Sequence, residues 1–254
     1  MHETSPLGHA MFLFTSAADR RYLIDPFFDL NPGCPEAYQT PEFLRTIRAV
    51  LLTHGHFDHT SGLKRVVNAN PDVTVVAQYE LALLLLQRGL AKNVIPINYG
   101  GTVSFDDLRA TMVPAIHTSS FGETEGTPVY AGAPCGYVLE FAQGPTVYFS
   151  GDTTVTKEME LIRDLYRPDI AVLSCSGHFT MGPREAAYAA RELLRVKTVI
   201  PSHSFPTRDQ APRPETLDAL LQAFPVVKAM ISKEEEPAPA PSRKRHRGSD
   251  AGLW

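Results

Sequence analysis

Four apolar runs in this chain each lead into a residue type that binds metals. "AVLLT" runs into His54, "RATMVPAI" into His117, "TVYFSG" into Asp152 and "KTVIPS" into His203. Runs of this length, rich in Val, Ile and Thr, predict buried strands. Open α/β sheets place their sites beyond the carboxyl ends of their strands, so ligands at strand ends converge. A single histidine there is ordinarily a hydrogen-bonded loop residue. Four repeats of the pattern point to one shared site, and so to a fold that gathers four strand ends.

The first of the four is the densest. "THGHFDH" places His54, His56, Asp58 and His59 within a few positions. Residues i and i+2 of extended backbone point the same way, so His54 and His56 can hold one cation. Asp58 and His59, past the bend, can face a second. Imidazole and carboxylate without thiolate suit zinc, with manganese, iron or nickel as alternatives. Gly55 is expected to let the backbone bend tightly.

Further strands are expected at "AMFLF", "RYLID", "VTVVA", "GYVLEF", "DIAVLS" and "VVKAMI", and helices over 61–69, 78–89, 156–166, 183–195 and 214–224. Pro183 falls where a first-turn proline is tolerated. Several strands occur together, which predicts helices layered over sheet rather than a strict βαβ array. With 254 residues, 43% of them hydrophobic, the chain can bury its own core. One domain is expected over 1–232. From Lys233 the sequence turns acidic, then Pro/Ala-rich, then basic, without apolar periodicity, so 233–254 is expected to be a disordered tail. Its "RKRHR" reads first as a solvated extension, and otherwise as a nuclear address or nucleic-acid contact.

The net charge of -4 gives no global attraction to nucleic acid or an anionic membrane. The longest apolar run, "LALLLL", is far too short to span a bilayer. Three cysteines at unrelated spacings predict no disulfide framework and a reducing compartment. With no signal-peptide pattern at the start, a cytoplasmic protein is expected, nuclear if the basic tail serves as a signal.

"THGHFDHTSG" resembles the signature of the metallo-β-lactamase superfamily, and the distal residues fall in that family's order. Within it, "LGHAMF", "LIDPFFDLNP", "HTSSF", "GDT" and "FTMGPREAAYAA" resemble the UlaG-like, or UPF0173-type, metal-dependent hydrolases. The likeness is spread over most of residues 7–206. It implies an α/β fold, the four-layer αβ/βα sandwich, and a dinuclear centre. His54, His56 and His117 would bind metal one, Asp58, His59 and His203 metal two, and Asp152 would bridge. Two such cations hold a bridging hydroxide as nucleophile and polarise the scissile oxygen. Asp58 would orient that nucleophile and carry its proton to the leaving group.

Neighbouring residues extend the set. His9 in "LGHAMF" matches a family histidine close to the site. Asp25 ends "YLID" and is expected to hydrogen-bond a ligand histidine, or else to serve as a strand-end turn former. His178 in "CSGHFTMGP" departs from the glycine-rich backbone of related sequences. It is a candidate for touching substrate or donating a proton, and equally a surface-loop histidine. The helix beginning at Pro183 is expected to offer its N-terminus to an anionic group. The insertion 121–136 is expected to form a rim loop that carries substrate choice.

Departures from other branches narrow the activity. His59 is present where true β-lactamases often lack the histidine, and His56 stands where flavodiiron proteins carry glutamate. The residues after His203 leave no room for the helical domain of glyoxalase II relatives. The inserted domain of the nucleic-acid-processing branch is also missing. A compact hydrolase of a small ester or lactone, anionic or not, is the expected activity. A phosphodiesterase or nuclease of the same fold is the alternative, with nucleic acid met only through the basic tail. A non-catalytic binding protein is a third reading, disfavoured by the complete ligand set. A homo-oligomer is left open.

Overall fold

Alternation of side chains along the strands decides the architecture, because each central strand has apolar residues to place on both of its faces. A computed structural model describes residues 3–203 except 30, 32 and 123–126. One six-stranded sheet contains β1 (Glu3–Pro6), β2 (Phe12–Thr15), β3 (Arg21–Ile24), β4 (Ile47–Leu51), β5 (Thr74–Gln78) and β6 (Val94–Ile97), in that order. A second contains β7 (Thr102–Ser104), β8 (Leu108–Pro114), β11 (Cys135–Phe141), β12 (Thr146–Phe149), β13 (Ile170–Ser174) and β14 (Thr198–Ser202), ordered β14-β13-β12-β11-β8-β7. A short pair, β9 (Ser120–Phe121) and β10 (Val129–Tyr130), stands apart.

Phe12, Phe14, Tyr22, Ile24, Ala49 and Leu51 of the first sheet meet Met112, Tyr137, Leu139, Phe149 and Val172 of the second in one buried cluster. The residues between them, Leu13, Leu23, Val50 and Val75, point outward. There they pack against α1 (Pro41–Leu44), α3 (Leu63–Ala69) and α4 (Tyr79–Gln87). On the other side Val138, Tyr148, Ala171 and Leu173 pack against α5 (Glu158–Tyr166), α6 (Pro183–Tyr188) and a π-helical continuation over Ala189–Leu194. The layers run helix, sheet, sheet, helix: the expected four-layer sandwich.

The strand directions settle where ligands gather. β3, β4 and β5 run parallel, as do β12, β13 and β14, and β8 shares the direction of β12 because β11 lies antiparallel between them. The carboxyl ends of β3, β4, β8, β12 and β14 therefore share one edge. The opposite edge is fastened by Asp107, which accepts hydrogen bonds from the Ser16 and Tyr22 hydroxyls and lies 3.5 Å from the Arg20 guanidinium. This ties the turn before β8 to the turn between β2 and β3.

The expected helix over 183–195 is present but becomes π-helical at Ala189. Polar β1, Pro96-interrupted β6, short β7 and the one-turn α1 were not expected. Sheet-edge strands have little apolar surface to show in a sequence. The expected helix over 214–224, the strand "VVKAMI" and the tail from Lys233 lie outside the described residues. Among the described residues no helix is long and apolar enough to cross a membrane, and Cys34, Cys135 and Cys175 are buried and form no disulfide.

Partial burial works to raise the Asp107 pKa, but the hydrogen bonds from Ser16 and Tyr22 outweigh it and hold the carboxyl below its ordinary 3.8. A depressed folded-state pKa stabilises fully above the unfolded value and is lost as pH falls through the folded one. Asp107→Asn should therefore cost roughly 1.5–3 kcal/mol at pH 7, the range for hydrogen bonds to a charged group. Thermal unfolding should show the gap to wild type closing below about pH 4.

Candidate metal centre

The chain beyond β4 is gripped from the facing sheet before it reaches the first ligand. Leu52 O accepts the Tyr137 hydroxyl at 2.8 Å, and Thr53 O accepts the Cys135 N–H at 2.9 Å. Gly55 N then donates to Ser119 Oγ at 3.1 Å. A Cβ on Gly55 would stand 2.5 Å from Ser120 O and 2.6 Å from Ala131 Cβ. Close approach of the β9–β10 segment, and not a left-handed bend, is what requires glycine here. One helical turn, α2 (Phe57–Thr60), brings His59 back inward, held by Thr60 Oγ1 on the Gly55 and His56 carbonyls.

The seven expected ligands come together. Ligand atoms of His54, His56 and His117 lie within 4.8 Å of one another, as do those of His54, His59 and Asp152, and those of His9, Asp58, His59 and His203. Asp152 Oδ2 is 3.6 Å from His117 Nε2, 3.5 Å from His59 Nε2 and 2.9 Å from His203 Nε2. Asp58 Oδ2 is 3.5 Å from His203 Nε2 and 3.7 Å from His59 Nε2. His54 Nε2 and His56 Nδ1 stand 2.9 Å apart. His59 Nε2 and Asp152 Oδ1 are buried with no hydrogen-bond partner among the described residues. Buried polar atoms left bare are costly, and a shared cation resolves that cost.

Asp25 sets the orientation of two of these histidines. Its carboxylate accepts Thr53 N at 2.8 Å, Thr53 Oγ1 at 2.7 Å and His59 Nδ1 at 2.8 Å. The Thr53 hydroxyl proton goes to Asp25, so its oxygen accepts from His54 Nδ1 at 3.0 Å. Both His54 and His59 thereby turn their Nδ1–H toward these acceptors, which faces each Nε2 into the cluster. The expected bond from Asp25 to a histidine of the cluster is present, and the relay through Thr53 was not anticipated. His9 also meets the cluster: its Nε2 lies 2.9 Å from Asp58 Oδ2, and its carbonyl accepts the His203 N–H at 3.0 Å. His9, Asp25 and His203 all have left-handed backbone, at φ 52°, 51° and 55°.

Charge follows burial and neighbours. Burial pushes His54 well below its ordinary pKa, with the nearby imidazoles adding to it, and pushes His9 down to about 4. For Asp152, burial is outweighed by His203 and His59, and for Asp58 chiefly by His59, so both carboxyls stay well below the usual range. Asp152 conversely lifts His203 to about 9 against the effect of burial. Burial raises Asp25 despite its hydrogen bonds. The carboxylates of Asp58 and Asp152 among the imidazoles of His54, His56, His59, His117 and His203 make a donor set that fits hard-to-borderline divalent cations.

His178 stays outside the cluster. It is exposed on the loop after β13, with its ring 4.5 Å from that of Phe179. The helix N-terminus expected to receive an anion holds one of the chain's own: Glu185 Oε2 accepts Gly182 N at 3.2 Å. The helix is also only Pro183–Tyr188 before it turns π-helical.

A β-lactamase superfamily domain profile matches residues 20–204. A UPF0173 metal-dependent hydrolase of Chloroflexus aurantiacus is 42% identical over 229 residues, covering 89% of this chain and 92% of the relative. The chain belongs to the UPF0173 metal-dependent hydrolases of the metallo-β-lactamase superfamily. Among solved structures, this hydrolase is similar to Igni18, a metallo hydrolase of Ignicoccus hospitalis, at 26% identity and a TM-score of 0.68, covering 89% of this chain and 92% of the other. An isothiocyanate hydrolase from Delia radicum gut bacteria shares the fold at 20% identity and a TM-score of 0.66, covering 91% of this chain and 94% of the other.

Removing the Asp25 carboxylate should loosen His59 and, through Thr53, His54. Asp25→Ala is expected to weaken zinc binding about 10–100-fold, the usual effect of losing a ligand's hydrogen-bond partner. Competition with a chromophoric chelator reads this directly. Unchanged affinity would show that neither histidine depends on Asp25 for its hold on metal.

Proposed function

We propose that this metal-dependent hydrolase cleaves a small ester or lactone with two divalent cations, zinc foremost. His54, His56 and His117 would hold one, Asp58, His59 and His203 the other, with Asp152 shared. The observation that carries this reading is the single carboxylate oxygen of Asp152, within 3.6 Å of His117 on one side and within 3.5 Å of His59 and His203 on the other. Cations bound there supply Lewis-acid polarisation of the scissile carbonyl and a water acidified to near neutrality.

The protein's own part is positioning and proton handling. Asp25 and Thr53 orient His59 and His54. Asp58 keeps an ionised carboxylate beside His9, His59 and His203, placed to take a proton and pass it to the leaving group. Three buried, unpaired cysteines suit a reducing, cytoplasmic setting.

Elemental mass spectrometry on the purified chain should find about two first-row metals per protein, fewer in Asp152→Ala and about one in His203→Ala. The loaded enzyme should hydrolyse simple lactones and esters faster than bis(p-nitrophenyl) phosphate. Protein that takes up no metal from zinc or manganese would overturn the reading, and a preference for the phosphodiester would overturn its substrate.

A further inference from the structure

Three apolar elements stand over the metal-binding edge, each fastened to a ligand-bearing turn. Ile116 immediately precedes His117. Its N–H donates to Thr153 Oγ1 at 3.0 Å and its carbonyl accepts Thr154 N at 3.2 Å, which pins it to the residues after Asp152. The β9–β10 pair rests on Gly55, between His54 and His56, and leaves Tyr130 outward. The loop 175–182 leaves β13 between the ends of β12 and β14. One foot, Cys175 N, donates to Ser202 O at 3.1 Å beside His203, and the other, Met181 N, to Thr153 O at 3.0 Å beside Asp152. Its base is locked by the Ser176 and Thr180 hydroxyls at 3.0 Å, and its tip carries Phe179.

These side chains are exposed where burial would be favourable: Ile116 at 56%, Tyr130 at 72% and Phe179 at 43%. Apolar surface gathered at the mouth of a site marks ligand contact. In sequence, 116–131, 153–156 and 175–182 contain no Lys or Arg, and their charged residues are two glutamates, Glu123 and Glu125. Phosphate recognition uses Arg or Lys forks or a free helix N-terminus. These segments carry no such cation of their own, the Arg88 guanidinium that reaches them is laid over the Phe121 ring at 4.9 Å, and Glu185 already occupies the helix end.

We propose that the mouth of this site takes a neutral substrate bearing an apolar arm, laid against Ile116, Tyr130 and Phe179. This rests on the ester-hydrolase reading above and names its substrate class. The arm is desolvated between the three side chains while the scissile group sits at the cluster. Selectivity should then grow with arm length and appear mainly in KM.

The test uses the full chain loaded with zinc. Rates are measured on p-nitrophenyl acetate, butyrate and octanoate and on bis(p-nitrophenyl) phosphate, and binding of octanoate against acetate by calorimetry. The expected result is a kcat/KM at least about tenfold higher for octanoate than acetate ester, well within the effect of several buried methylenes. That ratio should collapse several-fold in Phe179→Ala and in Tyr130→Ser at unchanged metal content. Leu165→Ser, on the outer face of α5, should retain it. A flat chain-length profile, or faster turnover of the phosphodiester, overturns the proposal. If no ester is cleaved, the ester reading fails and calorimetry alone decides the mouth. Octanoate preferred over acetate, and lost in Phe179→Ala, upholds it; equal binding overturns it.

Discussion

A carboxylate with no solvent exposure, Asp25, is the constraint on which this site depends. A buried charge is tolerated only when its lone pairs are met, and Asp25 meets that demand with three hydrogen bonds from Thr53 and His59. In doing so it joins the end of β3, the end of β4 and the turn of α2. It also orients two imidazoles of the cluster, His59 directly and His54 through Thr53. The geometry of the centre is thus inherited from the register of two adjacent parallel strands.

The sandwich divides its work between two edges. The aromatic layer between the sheets and the Asp107 tie hold one end closed. The other end can then carry a concentration of histidines and carboxylates that would destabilise a weaker frame. The grip of Tyr137 and Cys135 on Leu52 and Thr53, with the His203 N–H on the His9 carbonyl, fastens the two sheets at that crowded end. Coupling between the sheets is what brings Asp152 and His203, from one, beside His54 and His59, from the other.

Much of this was legible in the sequence because it rests on local pattern. Short apolar runs marked the central strands, and strand ends followed by His or Asp marked the cluster. What escaped depends on contacts across the fold. Gly55 reads locally as a bend, yet its requirement comes from Ser120 and Ala131, more than sixty residues away. Thr53 and Tyr137 are ordinary strand residues until the sheets meet. Glu185 lies in the open as a first-turn acid, but only the loop conformation shows that it closes the helix end. Edge strands β1 and β7 escape because they are short or polar and no apolar run marks them, and β6 because Pro96 interrupts its four residues.

The left-handed backbone of His9, Asp25 and His203 has a consequence for any effort to harden this protein. Each residue with a Cβ in that region costs roughly 1–2 kcal/mol relative to glycine. Relief of backbone strain alone would favour glycine at all three positions, but each exchange would dismantle the centre, and at Asp25 it would also forfeit the three hydrogen bonds that join β3, β4 and α2. Improvement has to be sought elsewhere in the frame.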